Sequence, residues 1–171
     1  MLRQVYNENL RPQAIQGLEP TREQFFVRVT FIKEWTIDTT TKPVKVRPAR
    51  AKPGTELDAL TLARLAVAAA ADKKGENMVL LDLRKLSSVT DYFVICTGAV
   101  DRQLEAIADN ITNVIKSKHQ IGARHVEGSG ETGWVLIDYV DVVIHVFTPS
   151  LRSYYSLESL WANAPVLLRM Q

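Results

Sequence analysis

The sequence has a single cysteine, Cys96, so no internal disulfide can form and the chain suits a reducing compartment. Its three histidines, His119, His125 and His145, lack the close pairing of zinc motifs, and one thiol cannot supply the usual thiolates. No apolar run approaches the roughly 18 residues that cross a bilayer. The longest, Leu65 to Ala71, is mostly alanine. The start carries Glu8 and no apolar stretch of the secretory kind. These absences point to a cytoplasmic protein with no membrane partner. A phosphate cradle is missing too. Gly128 to Gly133 reads GSGETG, without the Gly-Lys-Ser/Thr ending that opens a helix, and it precedes a strand.

What is present is an ordinary globular composition, 46% apolar and 23% charged over 171 residues, enough for one core. The net charge of +2 hides an asymmetry. Residues 1–54 carry ten Lys/Arg against five Asp/Glu, and residues 55–171 carry eleven against fourteen, so +5 and −3. A basic extension can reach phosphates, whereas an acidic module suits a basic partner; solubility alone would also account for both.

The boundary falls near residue 54. Lys42 to Pro53 (KPVKVRPARAKP) is rich in Lys and Arg and holds three prolines and no acid, which reads as an extended linker. Upstream, Phe25, Val27, Val29 and Phe31 alternate with Phe26, Arg28, Thr30 and Ile32 as in a strand. One strand cannot fold alone, so it pairs with the main domain, pairs with a partner or stays disordered.

From Thr55 onward the periodicities are clear. Thr55 and Asp58 resemble a capping box, and Leu57, Leu60, Ala63, Val67 and Ala71 recur at helical spacing, closed by Lys73, Lys74 and Gly75. Met78–Leu83 and Asp91–Thr97 read as strands. Leu104, Ile107, Ala108, Ile111, Val114 and Ile115 then form one helical stripe. Short strands follow at Arg124–Glu127, Trp134–Asp138 and Asp141–Phe147. Thr148 and Pro149 start a last helix, with Leu151, Tyr154, Tyr155, Leu157 and Trp161 on its apolar face. The order predicts an α/β (α+β mixed) fold, a single mixed sheet of about five strands flanked by helices, with one parallel crossover and a closing hairpin.

That hairpin carries the candidate site. A two-residue turn at Tyr139 and Val140 sets Asp138 opposite Asp141, Leu136 opposite Val143 and Trp134 opposite His145. Val135, Ile137, Val142, Ile144 and Val146 make a wholly aliphatic face. The other face mixes Trp134, Leu136, Val143, His145 and Phe147 with two carboxylates, and it is either ordinary core or an interface of the aromatic kind that forms hot spots. Asp138 and Asp141 are the tempting catalytic pair. Metal-dependent nucleotidyl transfer places two acids two apart on one strand after a Gly-Ser step, whereas these are three apart and Gly98 is followed by Ala99. Capping of backbone N–H groups is the better reading. Cys96, mid-strand among Val94, Ile95 and Thr97, reads as a buried inert thiol. Arg152, Tyr155 and Glu158 share one helical stripe, either as an intrahelical row or as a second contact patch.

Several blocks carry a family resemblance. They are Asp82 with Ser87-Ser88 and Asp91 to Ile95; Thr97-Gly98 with Arg102-Gln103; Ala106 to Asp109; Glu127-Gly128; Trp134 to Asp138; Asp141 to Phe147; and Arg152 to Trp161. In this order they resemble the Iojap or ribosomal silencing factor family, over residues 55–171 and not 1–54. The resemblance implies a nucleotidyltransferase-like sheet without transferase chemistry, hence no catalytic residue, cofactor or metal. It also implies binding to protein fourteen of the large ribosomal subunit, which blocks joining of the small subunit and slows translation in starvation. Organelle relatives act in large-subunit assembly, and some members form homodimers. The resemblance supports partner binding through Trp134. The hairpin reading then makes Trp134 the anchor, with Asp138 and Tyr139 at the rim and Leu136, Asp141 and His145 on the same face. Arg152 and Tyr155 form the second contact patch, which would suit a dimer interface. Two positions depart from the pattern. Val100 stands where a serine would cap the second helix, which passes the cap to Asp101. Val140 replaces a hairpin glycine; a β-branched residue is poorly suited to positive φ, which predicts a different turn.

Overall fold

The computed structural model describes residues 57–87 and 90–171. The extension, its linker and strand, and Thr55 of the capping box lie outside the described residues.

Helix α1 (Ala59–Asp72) is capped by Asp58, whose carboxylate accepts from the Thr61 N–H at 2.9 Å. It ends in a Schellman motif: the Gly75 N–H donates to the Ala70 carbonyl and the Lys74 N–H to that of Ala71. The left-handed residue of the motif is Lys74, at φ 59°, and not the glycine. Gly75 is needed for room instead, since a Cβ there would stand 3.0 Å from the Ala70 carbonyl oxygen. Two strands follow, β1 (Glu76–Asp82) and β2 (Tyr92–Thr97), paired antiparallel.

Helix α2 (Asp101–His119) buries Leu104, Ile107, Ala108, Ile111 and Ile115, the stripe expected from sequence except for Val114, which is only partly buried. Its N-cap is Val100, with no side-chain bond, and Asp101 already lies inside the helix, so the expected transfer of the cap does not occur. Gln103 does part of the work. It accepts from the Ala99 N–H at 2.7 Å and donates to the Lys74 carbonyl at 2.7 Å, joining the end of α1 to the start of α2.

Strands β3 (His125–Ser129), β4 (Trp134–Asp138) and β5 (Val142–Phe147) form a meander, and then come helices α3 (Pro149–Tyr155) and α4 (Leu157–Leu160) and strand β6 (Val166–Met170). The sheet is mixed and runs β3-β4-β5-β2-β1-β6. Among the described residues its only parallel pair is β2 with β5, and α2 makes the crossover. The sheet has six strands among the described residues, one more than expected, because β6 adds to β1 at the edge. The single last helix expected from sequence is two. Ser156, at φ 43°, breaks it.

The core lies between α1 and α2 and one face of the sheet: Met78, Leu80, Val94, Cys96, Val135, Ile137, Ile144 and Val146 meet Ala63, Ala66, Ile107 and Ile111. Each buried Leu, Ile or Val contributes roughly 1.5–3 kcal/mol relative to exposure. Alanines along α1 let the helix approach closely, and the polar bond from the Asn110 amide to the Ala69 carbonyl ties the helices together.

Candidate functional site

The β4–β5 hairpin has the face partition read from sequence, but its register is shifted by two. Trp134 pairs with Phe147, Leu136 with His145 and Asp138 with Val143. The cause is the turn. The Tyr139 N–H donates to the Val142 carbonyl at 2.9 Å, so Tyr139 belongs to the ladder and the turn residues are Val140 and Asp141. Asp138 and Asp141 are therefore not opposed. The Asp141 N–H also donates to the Tyr139 carbonyl, closing a three-residue turn over Val140 at φ 72°. The expectation that valine would avoid positive φ is not met. Asp138 holds the strained turn through a 2.6 Å bond from the Val140 N–H, which is the backbone-capping role expected of it.

With Tyr139 in the ladder, its ring falls on the helix side of the sheet, in the core with α1 and α2, and is not at a rim. Burial pushes its hydroxyl up to about 12. Cys96, in the same layer, is pushed up to about 12 by burial and is inert as a nucleophile.

The opposite face is filled by aromatic rings. Trp134 lies 4.9 Å from Phe147, 5.7 Å from His145 and 4.7 Å from Tyr155 of α3. Phe93 of β2 meets the His145 ring edge-on at 4.8 Å and Trp161 at 5.9 Å. Trp134 is 2% exposed, so it does not stand on an open face; this corrects the expectation that it touches a partner directly. Leu136 is buried as well, and so is His145, at 3% exposure. Among the described residues neither imidazole nitrogen of His145 has a hydrogen-bond partner, and burial holds its pKa down to about 3. It is a neutral ring acting as a hydrophobe.

Arg152 of α3 reaches across to the sheet. Its Nη1 donates to the Thr97 hydroxyl at 2.7 Å, and Nε and Nη2 donate to Glu158 at 2.9 and 2.5 Å. This pair does not run along one helix, as the sequence stripe suggests, because Ser156 intervenes.

The structure thus brings Trp134, His145, Arg152 and Tyr155 together, with Leu136 alongside. Asp138, Tyr139 and Asp141 sit at the other end of the hairpin, roughly 13 Å along the strand at about 3.3 Å per residue. At that end Asp141 is exposed, and its carbonyl accepts from the Asp91 and Tyr92 N–H groups. Burial, then the charge of Asp141, raises the pKa of Asp91. The surface laid over the aromatic layer belongs to α3 and α4: Tyr154, 40% exposed, stands edge-on to Tyr155 at 5.1 Å, and Leu160 is 51% exposed. Sequence reading placed Tyr154 on a buried face and passed over Leu160. The break at Ser156, after which Leu160 stands exposed, leaves no periodic trace. Phe93 was also missed as a member of this layer, although its odd-numbered place on β2 beside β5 sets it on the same face. Among the described residues, no group of three or more His, Cys, Asp or Glu could hold a metal ion, and no helix is long and apolar enough to cross a membrane.

The profile described as "Ribosomal silencing factor during starvation" matches residues 56–170. The "Ribosomal silencing factor RsfS" of Bacillus subtilis is 43% identical over 106 residues, 62% of this chain and 89% of that protein. "Protein Iojap, chloroplastic" of Zea mays is 30% identical over 112 residues, 64% of this chain and 47% of that protein. A crystal structure of a protein from Chromobacterium violaceum superposes with a TM-score of 0.59 at 34% identity, covering 62% of this chain and 88% of that one.

Proposed function

The chain belongs to the ribosomal silencing factor family, and on that premise we propose that it docks on the large ribosomal subunit through ribosomal protein fourteen and stands where the small subunit would join. It works where ribosomes are, in the cytoplasm, and by occupying space without catalysis. The observation that supports this reading is the exposed apolar ground of α3 and α4, Tyr154 and Leu160, with Tyr154 edge-on to Tyr155, which itself packs on Trp134 and Phe147. An aromatic patch on a rigid, filled base needs little ordering on association, which is the setting of binding hot spots. In this reading Tyr154, Tyr155 and Leu160 make the contact, Trp134 and His145 hold them from beneath, and exposed Asp141 meets a basic partner. The excess of acid over base in residues 55–171 suits such a partner.

The test is direct binding of the full chain to purified ribosomal protein fourteen, beside sedimentation with large subunits. Binding to both, weakened at least about tenfold by Tyr154→Glu with the fold retained, is the expected result. Subunit binding without protein binding, lost steeply as salt rises, would transfer the role to the basic extension and ribosomal RNA.

A further inference from the structure

Arg152 and Glu158 are six residues apart. In one continuous helix six residues turn the chain by about 600°, so the two side chains would stand roughly 120° apart around the axis and about 9 Å apart along it, off the shared stripe that pairing needs. They meet here only because Ser156, in the left-handed region at φ 43°, breaks the run into α3 and α4. The Ser156 N–H closes α3 on the Arg152 carbonyl, and the Leu160 and Ser159 N–H groups open α4 on the Ser156 carbonyl. The guanidinium, 14% exposed, then spans the elbow to Glu158 while its other arm holds Thr97 of β2. Tyr155 lies between Arg152 and Glu158 in sequence, with its ring over Trp134.

We infer that Arg152 and Glu158 are positioning residues: their ion pair selects the bent α3–α4 elbow over a straight helix and thereby sets Tyr154, Tyr155 and Leu160 into the binding surface, without touching the partner. The inference rests on the docking reading above for its functional part. It differs from a contact role in one respect. A residue that touches the partner needs its own charge, whereas a latch needs only the pair, and a pair works in either direction.

The experiment uses the full chain with R152E, E158R and the double reversal R152E/E158R, each read by large-subunit sedimentation and by near-ultraviolet circular dichroism of the aromatic layer. Each single reversal sets like charges together in a part-buried site and is expected to weaken sedimentation at least about tenfold and reduce the aromatic signal. The double reversal is expected to regain most of both. Loss of binding in all three variants with the dichroism unchanged would mean that the charges meet the partner directly, and it overturns the inference. So would single reversals that bind like the parent. If the parent chain does not sediment with subunits, the docking reading fails, and the dichroism alone decides the elbow. If a single reversal does not fold, Ser156 carries the test: Ser156→Gly should bind as the parent does and Ser156→Val at least about tenfold more weakly, because β-branched residues resist positive φ. Equal binding by those two would also overturn it.

Discussion

The ring centroids of Trp134 and Tyr155 lie 4.7 Å apart at an interplanar angle of 47°, so the hairpin and the helix that follows it share one packed layer. This contact makes the two parts of the candidate site one object. A partner that binds α3 is held by β4, and damage to β4 is felt on α3.

Truncation of the indole therefore tests the fold before it tests binding. Trp134→Ala should cost about 3–5 kcal/mol in urea unfolding, the usual cost of emptying a buried aromatic site. Trp134→Glu would put a carboxylate at a position 2% exposed and should prevent folding altogether. A stable, soluble Trp134→Glu chain would show that the layer is not packed as described.

His145 makes stability fall in acid. Its folded pKa is about 3 against an ordinary 6.5, so the folded state holds the ring neutral while the unfolded chain takes up a proton below 6.5. The stability it contributes is complete above 6.5 and is lost as pH falls from there toward 3. Between pH 7.5 and 5.0 the loss should be about 2 kcal/mol. Comparing urea midpoints of the parent with those of His145→Leu isolates this contribution, because carboxylates such as Asp91 titrate in both. Parallel pH profiles would contradict it.

Val140 sits at φ 72° in the hairpin turn, where a β-branched side chain is strained. Val140→Gly should stabilise by about 1 kcal/mol, visible as a higher urea midpoint with an unchanged slope. A lower midpoint would mean that the 43% exposed isopropyl group packs more than it strains.

Helix α2 starts without a side-chain cap. Val100→Ser supplies a hydroxyl at an extended, solvent-exposed N-cap and should add about 1 kcal/mol by the same measurement. No gain would show that Gln103 already meets the need of this terminus.

Most of the architecture could be read in the residues, because the burial that holds it is periodic. The α2 stripe from Leu104 to Ile115 and the aliphatic face from Val135 to Val146 are dictated by 3.6- and two-residue repeats, and both are buried as expected. Register was not legible. A shift of two leaves every side chain on its own face, so the pattern around Trp134 and His145 cannot tell Tyr139-Val140 from Val140-Asp141 as the turn. Strand β6 was missed because Val166 to Met170 neither alternates nor extends beyond five residues. The break at Ser156 was hidden because Arg152 to Trp161 keeps a helical rhythm through a residue that tertiary contacts force left-handed. Exposure was the larger gap. The resemblance marks Trp134 as important, but only packing shows that it supports Tyr155 from beneath.

The central claim is that this chain keeps ribosomal subunits apart by occupying the large one. The most direct measurement is sucrose-gradient sedimentation of purified large subunits, incubated with the full chain before small subunits are added. The chain should travel with the large subunit, and the joined-ribosome peak should shrink as chain is added, with free subunits rising in proportion. A chain left at the top of the gradient, or one that rides with joined ribosomes at undiminished yield, would contradict the account.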